Sequence, residues 1–142
     1  MLKNIFISLP VTNLNTSISF YQSIGFSINP HFTDDTAACM VWSDSINLML
    51  ITHAKWRTFT KRPIPPADSS AMALNLSYPS RDIVDATIAA AAAHGGTVDI
   101  NPLEDHGCMY TRDFTDPDGH ALGAMWMDPV AMAASVQKHS GE

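Results

Sequence analysis

The sequence predicts an α+β fold in which one module, strand–helix–strand–strand–strand, occurs twice. Three observations carry this expectation. The same order of five elements can be read on either side of a proline-rich linker. Gly25-Phe26-Ser27-Ile28-Asn29-Pro30 is echoed by Gly96-Thr97-Val98-Asp99-Ile100-Asn101-Pro102, so Ile-Asn-Pro returns after 72 residues, the same spacing as Asp44 to Asp116. Apolar side chains alternate within the expected strands and recur at helical spacing between them. The first strands align at a shorter offset, Leu9 with Leu76, and a longer second helix absorbs the difference. The organisation expected is one domain over 1–142, with module one in 1–56, a linker in 57–70, module two in 71–128 and a tail in 129–142.

Module one opens with "NIFISLPV", where Ile5, Ile7, Leu9 and Val11 share one face and Phe6, Ser8 and Pro10 the other. A helix follows in "LNTSISFYQSIG", with Asn13 or Asn15 as its N-cap and Gly25 as its terminator. "FSINPHF", "AACMVWS" and "INLMLITH" read as strands separated by the turns Asp34-Asp35 and Asp44-Ser45. The linker "RTFTKRPIPPADSS" holds three prolines and is expected to lack regular structure; Arg57, Lys61 and Arg62 make it the most basic stretch. Trp56 and Phe59 beside it either cover a cavity mouth or pack at the module junction.

Module two repeats the pattern. "MALNLSY" is a strand, and "SRDIVDATIAAAAAHGG" is a helix capped by Ser80 and stopped by Gly95-Gly96. His94 suits the negative end of that helix. "TVDINPL", "CMYTRDFT" and "HALGAMWM" are the remaining strands, the last two joined by the Asp116-Pro117-Asp118-Gly119 turn. On these two strands Tyr110, Arg112, Phe114, Leu122, Ala124 and Trp126 form a core-facing stripe in which Arg112 needs a partner or an edge. His120 is expected on the outward side, and "VAMAASVQK" as a short terminal helix.

Composition narrows the function classes. Charged residues are 15% of the chain, against about 25% usual, which leaves weakly polar surface and an expectation of a homodimer. The net charge of −6, without a basic stripe, argues against nucleic acid. No apolar run reaches the roughly 18 residues of a membrane span, and the N-terminus lacks a secretion-signal pattern. Cys39 and Cys108 make neither a zinc pattern nor a disulfide framework, so a cytoplasmic setting is expected.

The stretches "LPVTNLNTSISFYQSIGF" and "DFTDPDGH" resemble the opening and the final hairpin of vicinal oxygen chelate proteins, the superfamily of glyoxalase I, bleomycin-resistance proteins and extradiol dioxygenases. "EDHGCMYTRDFTDPDGHALGAMWMDP" is similar to a glyoxalase-like branch often labelled predicted lactoylglutathione lyase, and the likeness spans 3–129. The resemblance implies two βαβββ modules joined edge to edge into an open, cupped barrel with helices outside. In metal-dependent members it further implies four ligands, His, Gln or Glu, one on the first and one on the fourth strand of each module.

Set on this sequence, those four positions are Phe6, Met49, Ala73 and Gly123. A one-residue slip puts Leu50 in place of Met49. Phe, Ala and Gly carry no donor atom, and Met offers a soft thioether. Gly123 therefore marks a missing carboxylate, although a bulge or packing glycine fits the position too.

What alternation leaves facing the cavity is Ser8, Asn47, His53, Asn75, Ser77, Thr111 and Asp113 as a hydrogen-bonding lining, with Phe6, Met49, Ile51 and Met125 as an apolar floor. His53 and His106 are the candidates for proton transfer, with Asp113 the candidate carboxylate. Two functions follow. The first is metal-independent binding of a small apolar or amphipathic molecule, with no cofactor. The alternative is a glyoxalase-like lyase or isomerase on a small carbonyl compound, using a shifted divalent-metal site (Asp113 with His53 or His106) or acid–base chemistry alone.

Overall fold

A computed structural model describes residues 3–131 and 133. Module one runs β1 (Ile5–Val11), α1 (Leu14–Ser23), β2 (Ser27–Asn29), a 3₁₀ turn (Pro30–Phe32), β3 (Ala37–Val41), β4 (Ile46–Thr52) and α2 (His53–Phe59). Module two runs β5 (Ala73–Ser77), α3 (Arg81–Ala93), β6 (Thr97–Val98), β7 (Glu104–Asp105), β8 (Met109–Thr115) and β9 (Ala121–Met127). The sheets repeat one topology. The first is ordered β1-β4-β3-β2 and the second β5-β9-β8-β6, with β7 also on β8; in each, the first strand lies parallel to the last.

Local chemistry sets the helix ends. Asn13 Oδ1 accepts a hydrogen bond from Thr16 N at 3.0 Å and Ser80 Oγ from Ile83 N at 3.1 Å, each capping one orphan amide. Gly25 leaves α1 at φ +117°, which L side chains rarely adopt. His94 closes α3 by donating from Nδ1 to Ala90 O at 2.8 Å. Helical backbone resumes at Pro129; the rest of the expected terminal helix lies mostly outside the described residues.

The two modules share one core. Leu9, Val11, Phe20, Tyr21, Met40, Leu48 and Leu50 from module one cluster with Leu76, Val84, Ile88, Phe114 and Leu122 from module two. The Phe20 and Phe114 rings lie 6.2 Å apart, so α1 packs across the second sheet as well as its own. Both helices therefore cover one side of the paired sheets, and the other side is left open as a cup. The Arg112 expected in the core stripe finds its partners on the helix side: Asp99 Oδ2 at 2.8 Å and, on α3, Asp85 Oδ1 at 3.0 Å.

Several expectations need correction. β4 ends at Thr52, whose Oγ1 accepts from Lys55 N and starts α2, so His53 is a helix residue and no longer part of the strand's inward set. The same helix takes up Arg57 to Phe59, inside the stretch expected to be irregular, because every proline of the linker lies after Thr60. The strand expected over "TVDINPL" stops at Val98. Asp99 adopts φ +54°, and its carboxylate is held by Arg112. The open, cupped pairing of the two modules is as expected, and the two sheets meet without hydrogen bonds between them. β1 and β5 each form the edge of their own sheet, and Ile5, Ile7, Leu74 and Leu76 meet side chain to side chain around a gap of about 200 Å³.

Candidate functional site

Register places the cup residues. On the first sheet Ser8 pairs with Met49, which pairs in turn with Cys39; Pro10 pairs with Ile51, which pairs with Ala37. Directly paired residues share a face, so these side chains form one apolar floor with a single hydroxyl. Above it, α2 brings Trp56 and Phe59, and the linker brings Thr60, Arg62, Pro63 and Pro65. Floor and roof enclose an open-mouthed cavity of about 870 Å³, the size of a small-molecule site.

Each wall has a local cause. Thr52 caps α2 and turns the chain back over the sheet it has just left. Thr60 ends α2 in extended backbone and its Oγ1 accepts from Arg62 N at 3.1 Å. Pro63 and Pro65 then hold the strap extended, since proline fixes φ and cannot continue a helix. Trp56 and Pro65, with Ser8, also border a second hollow of about 220 Å³ at the module seam, lined beyond them by Pro10, Leu74 and His120. Trp56 thus serves both roles considered for it, cavity wall and junction packing. His120 donates from Nε2 to Pro10 O at 2.7 Å, so it reaches across the seam to β1.

The expected site residues divide into two groups. Ser8, Met49 and Ile51 line the large cavity. Asn47 lies on the same face and is 8% exposed, with the Cys39 thiol directed at its Oδ1; burial pushes that thiol's pKa up. Phe6 is 61% exposed, beyond the cavity. The module-two residues form a separate row: Asn75 pairs with Gly123 and Gly123 with Asp113, while Ser77 pairs with Met125 and Met125 with Thr111. None of these borders the large cavity. Asp113 Oδ2 accepts from Asn101 Nδ2 at 2.9 Å, which ties it to the second copy of the Ile-Asn-Pro repeat.

The candidate acid–base groups stand apart. His53 is half-buried at the start of α2 and is not among the cavity-lining side chains. His106 lies on the exposed β7–β8 hairpin, 3.6 Å from Glu104. Asp113 is on the module-two row. Neither shifted-metal pairing is therefore assembled with a third donor: among the described residues no three His, Cys, Asp or Glu side chains converge.

The four family ligand positions test the metal more directly. Phe6, Ala73 and Gly123 offer no donor, Met49 is cavity floor, and at Gly123 the neighbouring side chains already crowd the place a ligand would take. A Cβ built there would press on Asn75 Oδ1 and sit 3.0 Å from Asp113 Oδ1. The residues present do not fit the family's metal.

Sequence reasoning reaches Trp56 and Phe59 as a cover for the cavity mouth and misses the other wall residues. Ala37, Thr60, Arg62, Pro63 and Pro65 all line the cavity, and only Arg62 was considered, as part of a basic linker. A signal was available. No Asp or Glu occurs between Asp44 and Asp68, and that acid-free stretch carries Lys55, Arg57, Lys61 and Arg62 beside Trp56 and Phe59.

The class defined here is a duplicated α+β protein, two βαβββ sheets cupped around a side-chain-lined hollow. Residues 5–123 match the model of the Glyoxalase/Bleomycin resistance protein/Dioxygenase superfamily, and the chain belongs to that superfamily. Solved structures share the fold. A hypothetical protein from S. aureus is 21% identical with a TM-score of 0.74, covering 89% of this chain and 95% of its own. A glyoxalase/bleomycin resistance protein/dioxygenase family enzyme from Burkholderia phytofirmans is 15% identical, TM-score 0.72, covering 89% and 99%. A genomically encoded fosfomycin resistance protein from Listeria monocytogenes is 16% identical, TM-score 0.62, covering 89% and 92%. None of the curated proteins compared with the chain matches it.

Proposed function

We propose that this protein binds a small apolar or amphipathic molecule in the module-one cavity, without the metal used elsewhere in the superfamily. The observation that carries the reading is the cavity itself. About 870 Å³ is walled by Met49, Ile51, Trp56, Phe59, Pro63 and Pro65, with Ser8, Thr60 and Arg62 as the polar groups that would orient a guest. Burying a flat apolar ligand there is favourable at about 25 cal/mol per Å² of apolar surface removed from water, and aromatic walls add to it. The four ligand positions give no competing metal chemistry, and the histidine candidates lie away from the cavity. The homodimer and cytoplasmic setting expected from composition belong to the same proposal. Cys39 and Cys108 are both free, as a reducing compartment allows.

The test is a thermal-shift and Trp-fluorescence screen against planar aromatic compounds, repeated on Ala37→Trp. Ala37 lies on the cavity floor, half-buried, so an indole there fills the hollow. Binding by the wild type, abolished in Ala37→Trp at an unchanged melting temperature, is expected. Hits that bind both forms equally would place the ligand elsewhere.

A further inference from the structure

Four of the chain's eight Lys and Arg residues fall in 55–62, within a protein of net charge −6. Two of the others, Arg81 and Arg112, are committed to carboxylates at 2.6 and 2.8 Å. Lys55 lies with Nζ 5.4 Å from the Phe59 ring centroid and near enough to Asp34 to help lower its carboxyl pKa. Arg57, Lys61 and Arg62 differ. Among the described residues none of them has an ion-pair partner. They are also placed together: Arg57, Lys61 and Arg62 line one hollow of about 540 Å³, which adjoins the large cavity through Thr60, Arg62 and Pro63.

An apolar chamber thus opens onto a basic vestibule, and Arg62 belongs to both. Three cations crowded without a counter-charge repel one another, and an anion between them relieves that repulsion. A guanidinium also offers a forked donor pair matched to a carboxylate, sulfonate or phosphate. A neutral apolar guest would leave this vestibule unused.

We infer that the ligand is an organic anion: a flat apolar body seated against Met49, Trp56 and Phe59, with its acidic group held by Arg62 and flanked by Arg57 and Lys61. This rests on the cavity-binding reading above and narrows it to a charge class.

The experiment compares 2-naphthoate with its neutral isostere 2-naphthamide, titrated against the full chain by Trp fluorescence and calorimetry at low and high salt. The carboxylate is expected to bind roughly tenfold tighter or more, the scale of one charge-assisted hydrogen bond. Salt should erode that preference, since these cations are near solvent. Arg62→Gln should remove most of the preference by weakening the acid far more than the amide, and Arg57→Gln with Lys61→Gln should remove a smaller share. Circular dichroism and the melting temperature verify that each variant is folded. Equal affinities for acid and amide, or a preference that survives all three substitutions together, would overturn the charge assignment while leaving the cavity reading intact. Failure of both probes to bind would instead remove the cavity reading, and the inference with it.

Discussion

Tyr21 donates a 2.7 Å hydrogen bond to Asp116 Oδ2, from the helix of module one to the final turn of module two. Both residues are almost wholly buried; Asp116 is 2% exposed. The other oxygen of Asp116 accepts from Asp118 N and His120 N, each at 2.9 Å, and Asp118 Oδ1 in turn accepts from Thr12 N. The Asp-Pro-Asp-Gly turn is thus the clasp between modules, and burial lifts the Asp116 carboxyl above its usual range. Removing the Tyr21 hydroxyl leaves a buried acceptor short of a donor. Tyr21→Phe should lose about 1–3 kcal/mol, a melting drop of several degrees for a chain of this size. Urea unfolding at neutral pH measures it. An unchanged midpoint would mean the clasp carries no stability.

Alkaline pH should loosen the same region. Burial first, then the charge of Asp116 and the hydrogen bond to it, raises Tyr21 well above the ordinary phenol value. Burial pushes Tyr78 up to about 12; its hydroxyl donates to Ile24 O at 2.6 Å, again across the modules. A pKa raised by folding contributes stability that is complete below the unfolded value and is lost as pH climbs through the folded one. Stability should therefore fall from about pH 10 upward. Tyr78→Phe has one such group fewer and should show a shallower fall, although it starts less stable. Parallel slopes for the two proteins would rule out Tyr78 as a contributor.

Gly123 answers to packing as well as to lost chemistry. Asn75 and Asp113 lean over it from the neighbouring strands, where a Cβ would meet both. Gly123→Ala should destabilise by about 1 kcal/mol or somewhat more, the low end of overpacking costs because Asn75 is exposed and free to shift. Asn75→Ala should relieve most of that, giving a clear coupling in a double-mutant cycle. Gly123→Glu should cost more, since its carboxylate faces that of Asp113, and should not confer nickel binding in calorimetry. Nickel uptake by this single variant would show that the other three positions matter less than their chemistry says.

These relationships show which parts of the molecule alternation could reach. The period-two pattern placed Ser8, Met49 and Ile51 on the cup face and Leu9, Val11, Leu76 and Phe114 in the core, because a strand's facing is decided by its own residues and register. The Asp-Pro-Asp-Gly turn sets the hairpin register that brings Asp113 opposite Gly123. Alternation says nothing about how far along a shared face a hollow extends. Asn75, Ser77, Thr111, Asp113 and Met125 keep the expected row with Gly123, yet the large cavity lies wholly over module one. The roof depended on Thr52 ending one element and capping the next, a tertiary choice that the strand-like "INLMLITH" does not announce. The Tyr21–Asp116 clasp joins residues 95 apart in sequence, beyond the range of any local pattern.

The last expectation concerns assembly. Phe6 is 61% exposed, Ile5 56% and Met72 54%, all along the seam where the β1 and β5 edges face each other without pairing. With charged residues at 15%, little keeps such a surface in water, and covering it with a second copy removes apolar area at about 25 cal/mol per Å². The homodimer expected from composition should therefore appear in sedimentation equilibrium at micromolar concentration. Phe6→Glu places a charge on this apolar surface and should shift the population toward monomer. Because Phe6 is mostly solvent-facing within one chain, the substitution should change monomer stability by no more than about 0.5 kcal/mol. A wild-type chain that sediments as a monomer, or a Phe6→Glu variant that dimerises as tightly, would move the interface away from this seam.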